Sequence, residues 1–88
     1  MNRPSKREPQ VIDISADNNP RAFDEALAQT VRGDKIIYHT GAHAGGRHKS
    51  NAMAAQEAGL VALVQGRIKK GGDTRFIYIA QRTAKRFK

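Results

Sequence analysis

The chain has 88 residues, with 16 Lys and Arg against 8 Asp and Glu, so its formal net charge is +8. It contains no cysteine, which excludes disulfide scaffolds and thiolate metal sites. No apolar run approaches the roughly 20 residues of a membrane helix, and an excess of positive charge this large favours a polyanionic partner.

The N-terminal region divides into a polar arm and a first helix. Residues 1–10 hold two prolines and four charged residues and predict a flexible basic arm. The apolar patch at 11–14 fits either a brief strand or a hydrophobic anchor. The sequence DNNP at 17–20 is a helix start, and apolar residues at helical spacing predict a helix over about 20–32. Gly33 is a natural stop for that helix.

The middle of the chain predicts a strand, a loop and a second helix. Residues 35–40 (KIIYHT) are β-branched and aromatic and indicate a short strand. The glycine-rich stretch at 41–46 breaks regular structure. An alanine-rich helix is expected over 47–58, with Gly59 at its end.

The C-terminal part predicts a β-hairpin followed by a tail. Residues 60–68 and 75–82 have the clearest strand patterns in the chain. The connection at 69–74 contains Gly-Gly-Asp, which is typical of a hairpin turn. Residues 83–88 form a short basic tail, so a single domain is expected over 11–82.

This order of elements predicts an α+β fold that is winged-helix-like, with two main helices and a three-stranded antiparallel sheet including a C-terminal β-hairpin wing. A winged helix also has a short middle helix, which the loop at 41–46 would have to contain or replace. Near their base the two hairpin strands are apolar on both faces, so something has to cover the second face. The strand at 11–14 and a second subunit are candidates, and the alternative is a wing base sandwiched between helices.

The positive charge is concentrated in the second half of the chain. Residues 1–34 hold five basic and six acidic residues, a net charge of −1. Residues 35–88 hold eleven basic residues against Glu57 and Asp73, a net charge of +9. In a winged helix the elements of this second half are the ones that meet DNA.

Candidate contacts with nucleic acid come from three segments of this basic half. The start of the second helix carries side chains that suit phosphates and base edges. Long cations around the hairpin turn can reach along a groove or across the backbone, and the tail adds further positive charge. The candidate residues are Arg47, His48, Lys49, Ser50, Asn51, Arg67, Lys69, Lys70, Arg75, Lys85 and Arg86. A solvated helix face and a solvated turn are the alternative interpretations of the same residues.

Other chemistry has little support in the sequence. His39, His43 and His48 are spaced H-x3-H-x4-H, but the first two span a strand end and a glycine loop instead of one helical turn. No cysteine and no obvious carboxylate completes a set of metal ligands. No Ser or Thr has an evident base beside it. We therefore expect no metal, no cofactor and no enzymatic activity.

Three spaced motifs extend over roughly residues 33–82. They read Gly33-Asp34-x-Ile36-x-Tyr38-His39-x-Gly41, Ala58-Gly59-Leu60-Val61-x-Leu63-x-Gln65-x-Arg67 and Tyr78-x-Ala80-x-Arg82. This pattern resembles small winged-helix-type proteins encoded by bacteriophages, most of them uncharacterised. The resemblance implies DNA binding more than a defined task.

Together these observations predict a non-enzymatic DNA-binding protein, a small phage-type transcriptional or host-takeover regulator. It would contact DNA through the helix at 47–58 and the wing at 67–75, in the cytoplasm (the host cytoplasm if the protein is phage-encoded). Duplex DNA is the main expected partner, a homodimer and a host protein stay open, and no membrane partner is expected. The alternatives are an RNA-binding protein and a protein-interaction factor that inhibits a host protein through its basic face.

Overall fold

The computed structural model describes residues 9–41 and 45–84, with the backbone alone at positions 70 and 73. The predicted arm therefore lies almost entirely outside the described residues, and so does most of the predicted tail. The elements are β1 (Val11–Asp13), α1 (Ala22–Ala28), β2 (Lys35–Gly41), α2 (Lys49–Glu57), β3 (Val61–Lys70) and β4 (Asp73–Arg82).

The strands form one mixed sheet in the order β1-β2-β4-β3. Strand β1 pairs with β2 in parallel, whereas β4 is antiparallel to both of its neighbours. The α+β class with two helices is therefore observed in the described residues. The three-stranded antiparallel sheet of a winged helix is not confirmed, because β1 adds a fourth strand in parallel orientation.

The sheet has two distinct ends, because β1, β2 and β3 run in one direction and β4 runs in the other. We call the end where β2 and β3 begin the base end, and the opposite end, where Gly71 and Gly72 connect β3 to β4, the hairpin end. Gly71 has a φ of +58°, a backbone conformation that glycine adopts without steric cost. The connection is shorter than the predicted 69–74, because the ladder continues through the Lys69–Thr74 and Lys70–Asp73 pairs.

Both helices pack against the same face of the sheet. Phe23 and Leu27 of α1 and the small Ala52 and Ala55 of α2 are buried in one cluster with strand residues such as Ile36. An aromatic chain extends through this core, with Phe23 edge-on to Tyr38 at 6.3 Å between ring centroids and Tyr38 at 6.4 Å from Tyr78. The arrangement is a two-layer α+β structure with its core between helices and sheet.

A buried arginine holds the base end together. Arg82 is 4% exposed, and its Nη1 donates hydrogen bonds to the carbonyl oxygens of Leu27 (2.9 Å) and Thr30 (2.6 Å). Its Nε donates to the carbonyl oxygen of Leu60 at 3.2 Å. Burial lowers the pKa of Arg82, and the negative charge of Asp34 opposes that shift. A single side chain thus connects the end of α1, the start of β3 and the end of β4.

The carboxylate of Asp34 completes this network. It is fully buried and accepts hydrogen bonds from the backbone N–H groups of Gln10 and Val31, both at 3.0 Å.

The contacts of Arg82 account for the end of α1 at Ala28, whereas the sequence predicts a helix that continues to about Arg32. The guanidinium of Arg82 donates hydrogen bonds to the carbonyl oxygens of Leu27 and Thr30, and the Thr30 hydroxyl donates to the Ala26 carbonyl oxygen at 2.9 Å. These carbonyl oxygens at the end of α1 therefore have hydrogen-bond donors without a further helical turn.

Candidate nucleic-acid interface

The start of α2 lies beside the last residues of β2, opposite the middle of the β3–β4 hairpin. Gly46 has a φ of +89°, and a Cβ added there would lie 2.5 Å from Nδ1 of His39, so the backbone at this glycine packs directly on the imidazole. The His39 ring in turn lies 5.5 Å from the ring of Tyr78 in β4. The glycine pair before α2 therefore brings the helix start onto the last residues of β2 and their neighbours in β4.

Beyond this point the hairpin extends past the rest of the sheet. Gly41, the last residue of β2, pairs with Phe76, so β3 and β4 pair only with each other closer to the turn. Each of these strands has 10 residues, or about 33 Å at the usual rise of a strand. The described part of the molecule measures 48 × 29 × 21 Å, so it is elongated.

The strand register decides which hairpin cations point toward the helices. Val61 and Arg82 are paired and buried on the helix side, and side chains alternate from there along β3. Arg67, opposite Phe76, and Lys69, opposite Thr74, therefore project on the helix side. The paired Ile68 and Arg75 project on the other side.

The buried stripe of α2 orients the remaining polar side chains of that helix. Ala52 and Ala55 face the core, and His48 is only 1% exposed, with its Nε2 2.9 Å from the carbonyl oxygen of Asp17. Residues advance by about 100° per position along a helix, so Lys49 and Asn51 lie on opposite flanks of this stripe. Asn51 is on the α1 flank, where its Nδ2 lies 3.5 Å from the carbonyl oxygen of Pro20. Lys49 is consequently on the flank turned away from α1.

Four exposed cations thus lie on the helix side of the sheet, two at the start of α2 and two on the β3 segment that runs toward the hairpin turn. We call this surface the α2–hairpin face, and its members are Arg47, Lys49, Arg67 and Lys69. The backbone of Asp17 lies beside His48, and its carboxylate accepts a hydrogen bond from the Asn19 N–H at 2.9 Å, while Glu57 is the last residue of α2. A concentration of like charge on exposed side chains attracts polyanions.

The structure places three predicted contacts away from the α2–hairpin face. His48 is a correction, because its side chain is buried and bonded to the backbone of Asp17, so it cannot contact a ligand at the surface. Arg75 is exposed but projects on the opposite side of the sheet from Arg67 and Lys69. Asn51 is half-buried against the α1 loop and lies away from the hairpin.

Of the other predicted contacts, the structure describes Ser50 and the backbone of Lys70. Ser50 is exposed near the start of α2, next to the α2–hairpin face. The backbone of Lys70 belongs to β3, and its side chain is outside the description. Lys85 and Arg86 lie outside the described residues altogether.

The described aromatic and histidine side chains near the α2–hairpin face pack against one another. Tyr38 and Tyr78 are buried, while His39 and Phe76 are half-buried, and Phe76 lies 6.4 Å from Tyr78 between ring centroids. Within residues 9–41 and 45–84, no group of three His, Cys, Asp or Glu side chains could hold a metal ion. His43, one of the three spaced histidines, is outside those ranges.

Sequence reasoning missed the structural roles of two residues. Arg82 counts toward the positive charge of the second half, yet it is buried and contributes to the base end. Its signal in the sequence is its place at the end of the spaced motif Tyr78-x-Ala80-x-Arg82. Gly46 positions α2, and its signal is the glycine pair immediately before that helix.

Comparisons with known proteins add no further information on this surface. No family model, no curated protein and no solved structure matches the chain. Among the described residues, no helix has the length and apolar character needed to cross a membrane.

Proposed function

We propose that this protein is a non-enzymatic nucleic-acid-binding protein that holds duplex DNA on its α2–hairpin face. The observation that carries the proposal is that four exposed cations from two separate segments lie on one side of the sheet, between the end of β2 and the hairpin turn. Arg47 and Lys49 would contact one stretch of phosphates, and Arg67 and Lys69, on the extended hairpin, would contact another.

The state of the aromatic side chains favours phosphate contacts over base stacking. Proteins that bind single strands present open aromatic faces on which bases stack. Here Tyr38 and Tyr78 are buried, and Phe76 and His39 pack against Tyr78. The described part of this surface therefore offers charge without an open stacking platform, which suits a double helix.

In this proposal the hairpin is compared with the wing of a winged helix, and the sheet as a whole is not compared with that fold. The hairpin would act as the wing that reaches along the backbone, while the start of α2 approaches a groove. Arg47, Lys49 and Ser50 are the exposed polar residues at that helix start. The role of a small phage-type regulator, which the sequence as a whole predicts, is part of the same proposal.

A salt titration tests the proposal. The affinity of the protein is measured for a duplex DNA, for one of its single strands and for a duplex RNA of the same sequence, at several salt concentrations. We expect the tightest binding to duplex DNA, with log K falling against log salt at a slope of about −3.6 if each of the four cations neutralises one phosphate. Equal affinity at low and high salt would overturn the proposal, and a preference for duplex RNA would replace DNA with RNA as the partner.

Charge-removing variants locate the contact surface. The double variant Arg67→Gln with Lys69→Gln should flatten the slope by about 1.8, and Arg47→Gln with Lys49→Gln should have a similar effect. Arg32→Gln is the control, because Arg32 is exposed but precedes β2 at the base end. An unchanged slope in both double variants would show that DNA binds elsewhere.

A further inference from the structure

The face of the sheet that points away from the helices is apolar and open among the described residues. We call it the outer face, and it centres on Ile37, Val64, Ile68, Ile77 and Ile79. Val64 and Ile68 are 43% and 41% exposed, and the three other isoleucines are half-buried. Strand pairing places Ile37, Ile79 and Val64 side by side in one row across the sheet. An apolar patch of this continuity on a sheet marks an interaction surface.

Strand β1 does not cover this face. It extends the sheet at the β2 edge, with Val11 opposite Lys35 and Asp13 opposite Ile37. It therefore widens the outer face instead of forming a second layer over it. Of the coverings that the sequence suggests, the first strand is thus excluded, and both helices lie on the opposite face of the sheet.

The undescribed segments have too few apolar side chains for this task. Residues 1–8, 42–44 and 85–88 contain Met1 and Phe87 as their only large apolar residues, and seven of these fifteen positions are charged. Five aliphatic side chains need a comparably apolar covering to leave water.

Charges of both signs lie at the margins of the outer face. Alternation along the strands puts Asp13 and the half-buried Lys35 on this face toward the base end and Arg75 on it near the hairpin end. In a two-fold symmetric dimer, if residue i of one copy contacts residue j of the other, then residue j of the first copy also contacts residue i of the second. If the two-fold axis passes midway between Asp13 and Arg75, two sheets packed face to face place each Asp13 against the Arg75 of the other copy, with the isoleucines between.

We propose that a second copy of this chain covers the outer face, forming a two-fold dimer in which the two sheets pack against each other. This assigns Arg75 to the subunit interface. The α2–hairpin faces are on the opposite side of each sheet, so the pairing leaves both of them exposed. The dimer therefore does not depend on the proposed nucleic-acid contacts, and the two proposals fail separately.

The first test is the concentration dependence of mass by sedimentation, without nucleic acid. We expect the wild-type protein to be a dimer that dissociates on dilution. Val64→Glu should raise the dissociation constant by at least about 30-fold, because it brings two carboxylates into an apolar interface. Val31→Glu is the matched control: Val31 is 54% exposed, belongs to the loop after α1, and should change the constant by less than about 3-fold. A wild-type protein that is monomeric throughout, or equal effects of the two variants, would overturn the proposal.

The second test uses exchanged charges and addresses the symmetry. Asp13→Arg alone and Arg75→Asp alone should each weaken self-association, because like charges then meet twice. A mixture of the two single variants should associate more strongly than either alone, because every Arg then faces an Asp. Circular dichroism of each variant confirms that the fold is retained. If the mixture associates no better than its components, this two-fold arrangement is wrong.

Discussion

Arg67 and Arg82 are on the same side of the β3–β4 hairpin but at its opposite ends, and they have opposite roles. Arg82 is buried, and its guanidinium is bonded to the carbonyls of Leu27, Thr30 and Leu60. Arg67 is exposed on the part of β3 where the hairpin leaves the rest of the sheet. The base end thus uses positive charge to hold the fold together, and the hairpin end displays it to solvent. Net charge alone would count the two residues equally.

The largest effect expected from breaking this contrast is on the stability of the base end. Arg82→Met would leave three backbone carbonyls without that donor and the buried Asp34 carboxylate without the nearby cation. Removal of one partner from such a site costs about 3–5 kcal/mol of the free energy of unfolding. Urea unfolding followed by circular dichroism measures this loss.

Arg67→Met is the matched control for this substitution. It changes the same residue type on the same side of the hairpin, and the expected change in unfolding free energy is below about 0.5 kcal/mol. Should Arg82→Met fail to fold, Thr30→Val gives a milder probe, since the Thr30 hydroxyl receives a hydrogen bond from Arg82 Nη1 at 3.0 Å. Equal losses for Arg82→Met and Arg67→Met would remove the distinction between the two ends.

The next effect concerns how Gly46 holds the start of α2 against the sheet. Gly46→Ala introduces a Cβ at 2.5 Å from His39 Nδ1 and a side chain at a φ of +89°. The strain should cost about 1–3 kcal/mol of stability. It should also displace the start of α2 and so weaken DNA binding beyond the loss of stability.

Gly45→Ala is the control, because nothing lies within 4 Å of a Cβ at that position and its φ is not positive. The two variants differ by one position in the same loop. Chemical denaturation gives the stability of each, and the salt titration gives its affinity. Indistinguishable variants would mean that the close approach of Gly46 to His39 does not position the helix.

The smallest expected effect lies in the core between the two ends and depends on pH. Burial raises the pKa of Tyr38 above its ordinary value of 10.0, and the neighbouring Tyr78 raises it further. The folded state therefore keeps the phenol proton more firmly than the unfolded state does. The stabilising effect is complete below about pH 10 and is lost as the pH rises through the raised value.

Tyr38→Phe removes the titrating group and leaves the ring. Urea midpoints between pH 8 and pH 11 should therefore decline less in Tyr38→Phe than in the wild-type protein. Lysines titrate in the same range in both proteins, so the difference between the two curves isolates Tyr38. Parallel curves would show that ionisation of Tyr38 does not differ between the folded and unfolded states.

Local sequence patterns were sufficient for most of the elements. The Gly-Gly turn between two β-branched runs predicted the hairpin, and alanines at helical spacing predicted the second helix, here α2 (Lys49–Glu57). These signals involve residues close in sequence, whose geometry is set by turn chemistry and side-chain periodicity. The bounds were less accurate, since the extent of a ladder depends on its partner strand.

Other features depend on residues distant in sequence. The parallel pairing of Val11 with Lys35 is supported by hydrogen bonds from Gln10 to Asp34, 24 positions away. The burial of Arg82 depends on Leu27, 55 positions away. The buried state of His48 follows from its bond to Asp17, which the sequence around His48 does not indicate.

The sequence by itself determined where the positive charge is along the chain and which segments form strands and helices, because both follow from residue type and local spacing. The tertiary structure decided which of those charges reach the solvent and on which side. The physical reason is that the side of a strand residue depends on register, and here a shift between Ile37 and His39 changes the register of β2 against β4. The burial of a charge likewise depends on hydrogen-bonding groups that only the folded chain brings to it.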